Sequence, residues 1–175
     1  MVGAGTDPSR GIPWMTAFAG IDFSTFAIDL VLIPEEGEPE WHRFELAGHD
    51  AFERTRGVRD VMPSRGWWSD LGVVALGIEE PQGVAKSTVA KLKAIQGAVV
   101  ACLPRDLLVH PMVPARWRTE VGLKGNASKE EVADFVAVRS GTGFVEIPWD
   151  CSQWSQDAMD AYCLALSVEK LTVLA

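Results

Sequence analysis

The 175-residue chain is poor in the side chains that build zinc sites and disulfide frameworks, with three cysteines and three histidines. Cys102, Cys151 and Cys163 form an odd set without metal-ligand spacing. That excludes a cystine scaffold and favours small buried hydrophobes in a reducing compartment. His42, His49 and His110 are scattered, so a zinc centre is not expected. No apolar run is long enough to span a membrane, and Met1 to Pro13 has neither the basic start nor the apolar stretch of a signal peptide. Residues 1–16 read as a flexible N-terminal arm, and the expected location is the cytoplasm. No internal repeat or low-complexity segment is visible. What remains is an average globular composition, 47% apolar and 23% charged, enough for one full hydrophobic core over residues 17–172.

A positive surplus is lacking too. Net charge is −8, which taken alone argues against a nucleic-acid partner. The distribution argues otherwise. Between Asp22 and Asp50 the acids crowd around a single base, Arg43. Between Gln82 and Lys129 the order reverses: Lys86, Lys91, Lys93, Arg105, Arg116, Arg118, Lys124 and Lys129 face only Asp106 and Glu120. So basic a segment can follow a phosphate backbone, or be a solvated helix face.

Apolar runs and turn residues organise the chain. Ala17 to Asp22 reads as a strand ending at an acid. Phe26 to Ile33 and Trp41 to Leu46 read as two more, joined by short turns into an antiparallel meander. A helix is expected from His49 to Met62, before Pro63. Val73 to Ile78 is nearly all apolar, as in a strand covered on both faces, and runs into Glu79-Glu80. A helix from Val84 to Val100 and a strand from Leu107 to Met112 follow. Ser128 with Glu131 forms a capping box for a helix from Lys129 to about Val138. The last helix starts near Trp154 or Ser155, with Ser155 as its cap. The order implies an α/β fold, a mixed sheet with helices on its faces. Trp67-Trp68 can be core or can stack on unpaired bases.

Two carboxylates interrupt the apolar last helix. Asp157 and Asp160 lie one turn apart on one face, where their repulsion and desolvation call for a compensating cation. Asp22 and Glu79 stand at strand carboxyl ends, where ligands of α/β sheets gather. Four converging acids are hard-oxygen ligands suited to Mg²⁺. A pair of such ions can activate a water and steady the leaving oxygen in phosphodiester cleavage. Each acid also has a structural reading: Asp22 can cap a turn through Ser24, Glu79 can be surface, and Glu80 competes with it for the site.

Gly20-Ile21-Asp22, Gly77-Ile78-Glu79-Glu80, Gly125-Asn126-Ala127-Ser128-Lys129 and Asp157-Ala158-Met159-Asp160-Ala161 occur in this order over residues 17 to 168. With these motifs the chain resembles the RuvC family of Holliday junction resolvases, within the ribonuclease H-like superfamily. The resemblance implies a ribonuclease H-like mixed five-stranded sheet with helices on both faces. It implies Asp22, Glu79, Asp157 and Asp160 as ligands of two Mg²⁺ ions, replaceable by Mn²⁺. Lys129 would neutralise the phosphate in the transition state, and Arg118, eleven positions earlier, belongs to the same pattern. Lys86, Arg116, Arg118, Lys124 and Lys129 are the expected DNA contacts.

The partners implied are branched DNA and a second copy of the chain, the helix from Val84 serving as the main dimer element or as core. The implied activity is crossover junction endodeoxyribonuclease, two symmetric nicks at a four-way junction. The competing readings are a ribonuclease H-like nuclease for forks, flaps or structured RNA, and a non-catalytic junction binder. Phe23-Ser24 after the first acid, Glu80-Pro81-Gln82-Gly83 after the second, and Leu123 in place of a glycine depart from the family pattern.

Overall fold

A computed structural model of the chain describes residues 16–83, 85–141 and 150–173. The N-terminal arm expected over residues 1–16 lies, apart from Thr16, outside the described residues, as do Val84 and Gly143. Strands β1 (Ala17–Phe23) and β2 (Ala27–Pro34) are almost wholly buried, and β3 (Glu40–Glu45) is half-exposed at the sheet edge. Strand β4 (Val73–Glu79) pairs parallel to β1, and β5 (Leu108–Met112) parallel to β4. The sheet order is β3-β2-β1-β4-β5, with β1–β2 and β2–β3 antiparallel. The mixed five-stranded sheet expected above is therefore present. Pro111 sits within β5, an edge strand, where a missing backbone donor is tolerated.

Alternation along the strands sorts the core into two layers. Ala19, Ile21, Ile28, Leu30, Leu76 and Ile78 pack with Val58, Trp68, Ile95 and Val99, which come from α1 (Ala51–Val61), α2 (Arg65–Asp70) and α3 (Lys86–Cys102). Phe18, Val31, Ile33 and Ala75 face the other way. They meet α4 (Pro114–Val121), α5 (Lys129–Gly141) and α6 (Gln156–Val173). Trp68 is 1% exposed and meets Trp67 edge-to-face at 5.2 Å, so the tandem tryptophans belong to the core side of their two readings.

Two short helices, α2 and α4, were not expected. Pro111 and Pro114 suit a break in the chain, yet Pro114 occupies the first turn of α4, where its fixed φ and missing N–H suit a helix start. Gly122 closes α4 with a φ of +95°. Helix α2 has six residues, too few for a period, and is marked only by Ser64 capping Trp67 N. The capping box is present: Ser128 N donates to Glu131 Oε2 at 2.7 Å, and Glu131 N to Ser128 Oγ at 3.2 Å. None of the helices among the described residues is long and apolar enough to cross a membrane.

Candidate metal centre

Small residues make the site possible. Gly20 and Gly77 are register partners in the parallel β1–β4 ladder, each two positions before an acid and so on the same face as it. A Cβ on Gly20 would overlap the carbonyl oxygen of Ala161, and one on Gly77 would stand 2.7 Å from that of Leu164. Helix α6 therefore lies directly on the sheet backbone, and its first turns reach the strand ends. Its run from Ala158 to Val168 is buried apart from the half-buried Met159.

This seat brings Asp22, Glu79 and Asp160 together, with one carboxylate oxygen of each within 4.8 Å of the others. Asp22 is 8% exposed and Asp160 7%, and among the described residues none of the three forms an ion pair. Each accepts one hydrogen bond: Asp22 Oδ1 from Phe23 N at 2.7 Å, Glu79 Oε2 from the Trp117 indole at 3.1 Å, Asp160 Oδ1 from the Gln156 amide at 3.0 Å. A carboxylate offers about four lone-pair directions, so most of this acceptor capacity is left free. Ser24, not Asp22, shapes the β1–β2 turn, its hydroxyl accepting from Phe26 N and Ala27 N.

The electrostatics follow from the crowding. Burial raises Asp22 well above the usual carboxylate range, with further increments from Glu79, Asp160 and Asp157. Burial also lifts Glu79, to about 7, against the opposing Trp117 hydrogen bond and the Arg118 charge. Asp160 is raised by burial and eased downward by Gln156, Arg118 and Lys129. Three desolvated carboxylates without a counter-ion are a donor set that fits a hard divalent cation such as Mg²⁺.

Asp157 is half-buried and stands outside that three-acid cluster, although its charge reaches Asp22, Asp29, Glu79 and Asp160. Three of the four expected ligands thus converge, with the fourth alongside. Glu80 is not among them. Of the expected phosphate contacts, Arg118 and Lys129 are brought near the acids. Arg118 is half-buried, 4.9 Å over the Trp117 ring, and its Nε finds no partner. Lys129 is exposed at the first position of α5. Lys86, Arg116 and Lys124 are exposed, and no interaction among the described residues joins them to the acids.

No family model and no curated protein matches the chain. Solved structures do. The T. thermophilus RuvC in complex with a Holliday junction substrate aligns with a TM-score of 0.64 and 19% identity, over 91% of this chain and 96% of that one. A second Thermus thermophilus RuvC structure aligns with a TM-score of 0.54 and 23% identity, over 90% and 96%. The chain has the RuvC-like form of the ribonuclease H fold. At such identity the likeness speaks for the fold, and the chemistry rests on the residues themselves.

Within this RuvC-like frame some residues at the site escaped the sequence reading. Gln96 on α3 donates to the Glu79 carbonyl at 3.0 Å, and Trp117 and Gln156 orient two of the acids. The fully buried Asp29 lies opposite Asp22 in the β1–β2 ladder. Two signals were available for it. A carboxylate interrupts an otherwise apolar strand, and Arg43 stands as the lone base among the surrounding acids.

Proposed function

We propose that the chain is a Mg²⁺-dependent endonuclease that resolves four-way DNA junctions by paired, symmetric nicks, its nuclease domain spanning residues 17–172. The observation that carries the proposal is the cluster of two buried carboxylates and one half-buried one, which form no ion pair among the described residues and are flanked by Arg118 and Lys129. Divalent cations held by Asp22, Glu79 and Asp160, with Asp157 beside them, would supply Lewis acidity toward a phosphate and acidify an attacking water. The chain's own groups do the remainder. Trp117 and Gln156 hold the orientation of Glu79 and Asp160, each using one hydrogen bond and leaving acceptor capacity for a cation.

Lys129 and Arg118 stand as cations on the α4–α5 side and take up the charge that grows on the phosphate oxygens during in-line displacement. A Cβ added at Gly125 would stand 3.3 Å from the Ala115 carbonyl oxygen, so the loop before Lys129 runs close to the helix that carries Arg118. Junction preference draws support from the likeness to RuvC, one of whose structures holds a Holliday junction substrate. A wider branch specificity, including forks and flaps, is the second reading. It is favoured by Glu80-Pro81-Gln82-Gly83, where a buried proline and two exposed residues follow the second acid in place of apolar ones.

The test compares synthetic four-way junction, fork, flap and RNA hairpin in Mg²⁺. Two symmetric nicks confined to the junction are the expected result, and D157N should bind the junction without cutting it. Cleavage of the hairpin alone, or no Mg²⁺-dependent product from any substrate, would overturn the proposal. Full activity of D157N would remove Asp157 from the site.

A further inference from the structure

Asp29 is 0% exposed, on the sheet face that carries Asp22 and directly opposite it in the antiparallel ladder. An isolated buried carboxylate beside another is costly, and here it is compensated from three directions. Arg43 on β3 donates through Nη1 to Asp29 Oδ2 at 2.8 Å and Oδ1 at 3.2 Å, while its Nε holds Glu45 at 2.9 Å. The Trp41 indole donates to Oδ1 at 2.8 Å. The third donor comes from 126 residues away: Ser155 Oγ reaches Asp29 Oδ1 at 3.1 Å. That same hydroxyl oxygen accepts from Ala158 N at 3.0 Å and so caps α6. Trp41 also rests against Trp154 at 6.2 Å between ring centroids.

We infer that Asp29, with Arg43 and Ser155, is a positioning clamp that fixes the first turn of α6 and thereby the placement of Asp157 and Asp160 against Asp22 and Glu79. The geometry is specific. Glycine contacts hold α6 further along, at Ala161 and Leu164, and leave its N-terminal end to be held by something else. Ser155 is two residues before Asp157, so a loss of the Asp29 contact acts where the acids begin. The clamp's consequence for metal rests on the metal-centre reading above, whereas its consequence for α6 does not.

D29L, which removes both acceptor oxygens at similar volume, S155A and the double variant are compared with wild type by hydrogen exchange and by Mn²⁺ titration. The control is V58A, which weakens the core layer on the opposite face of the sheet. The expected result is at least tenfold faster exchange for the amides of Ala158 to Ala161, with Leu164 to Val168 unchanged. Mn²⁺ affinity should fall tenfold to a hundredfold, the range typical of lost outer-shell partners. The double variant should be no worse than the poorer single one, because both break one chain of contacts. V58A should leave both readouts in place. Unchanged exchange in D29L and S155A, or equal changes in V58A, would overturn the clamp. Wild type without Mn²⁺ affinity would defeat the metal centre instead, and the exchange result would still decide the clamp.

Discussion

Gly20 and Gly77 lie side by side in the β1–β4 ladder, and α6 rests on both without an intervening side chain. Each glycine precedes its acid by two residues, so close approach of the helix and convergence of the carboxylates have one cause. G20A should therefore cost at least about 3 kcal/mol, the upper end for overpacking, because the obstructing atom is backbone. The matched change G66A, in an exposed turn of α2 where a Cβ would meet only Ser64 Oγ at an ordinary 3.9 Å, should gain up to about 1 kcal/mol from helix propensity. Urea denaturation of the two variants measures the difference. A G20A protein as stable as wild type would show that α6 is not seated as described.

The strand-end acids and the acid pair on α6 were legible because each sits where an apolar pattern stops or is broken. Their convergence was expected from the strand ends, but its means was not, since it depends on Gly20 and Gly77, which read locally as weak strand residues. Helix α4 was missed because Pro111 and Pro114 suit a loop as well as a helix start. Asp29 was passed over because strand patterning counts apolar residues, while its partners lie on β3 and on the far end of the chain. Asp157 stands less close than its spacing suggests. Helical spacing puts it on the same face as Asp160, but one turn of rise leaves it beside the three-acid cluster.

Asp22 should show a conflict between stability and metal binding. Its carboxylate is raised by burial and by three neighbouring acids, so its charged form destabilises the metal-free fold. D22N removes that charge at nearly constant volume. At pH 8 without metal the variant should melt about 3–6 °C higher, corresponding to roughly 1–2 kcal/mol in a chain of this size. Adding Mg²⁺ should raise the wild-type midpoint and leave D22N unmoved. A metal-free midpoint for D22N below that of wild type would contradict the repulsion.

Glu79 sets the pH window. Its carboxyl is raised from 4.5 to about 7 in the folded chain, so folding favours the protonated form. Its contribution is fully present below pH 4.5 and is lost as pH rises to about 7. Metal-free stability should fall across that interval. Divalent cation competes with protons for the same oxygens, so the stabilisation by Mg²⁺ should grow over the same interval and level off above it. Thermal midpoints from pH 5 to 8.5, with and without Mg²⁺, give both curves. A pH-independent Mg²⁺ increment would remove Glu79 from the ligand set.

Lys129 and Asp160 should separate in function although their charges interact. The lysine is exposed at the start of α5 and makes no ion pair with the acids, so K129A should change Mn²⁺ affinity by less than about twofold. If it steadies charge on the phosphate, its loss should slow single-turnover cleavage by about 10²–10³, the scale of one lost transition-state donor. Asp160→Asn should instead weaken both. Equal losses in K129A and D160N, in metal binding as well as rate, would make Lys129 a structural neighbour of the ligands.

Ser87, Ala90, Ala94, Gly97 and Ala101 fall at alternating spacings of three and four along α3, and all are exposed. The spacing draws them into one stripe, and residues this small let a second helix approach closely. An added Cβ at Gly97 meets nothing within the chain. The homodimer that the family resemblance implies would form on this face, with α3 beginning at Lys86 rather than at the expected Val84. A94R places a long cation in the middle of the stripe without touching the buried Ile95 and Val99. The variant should keep its thermal midpoint at low protein concentration, elute as a monomer by light scattering, and nick a junction once instead of twice in concert. A dimeric A94R with coupled nicks would move the interface off α3, since two copies of a guanidinium could not be packed into a seam of alanine and glycine without a large desolvation cost.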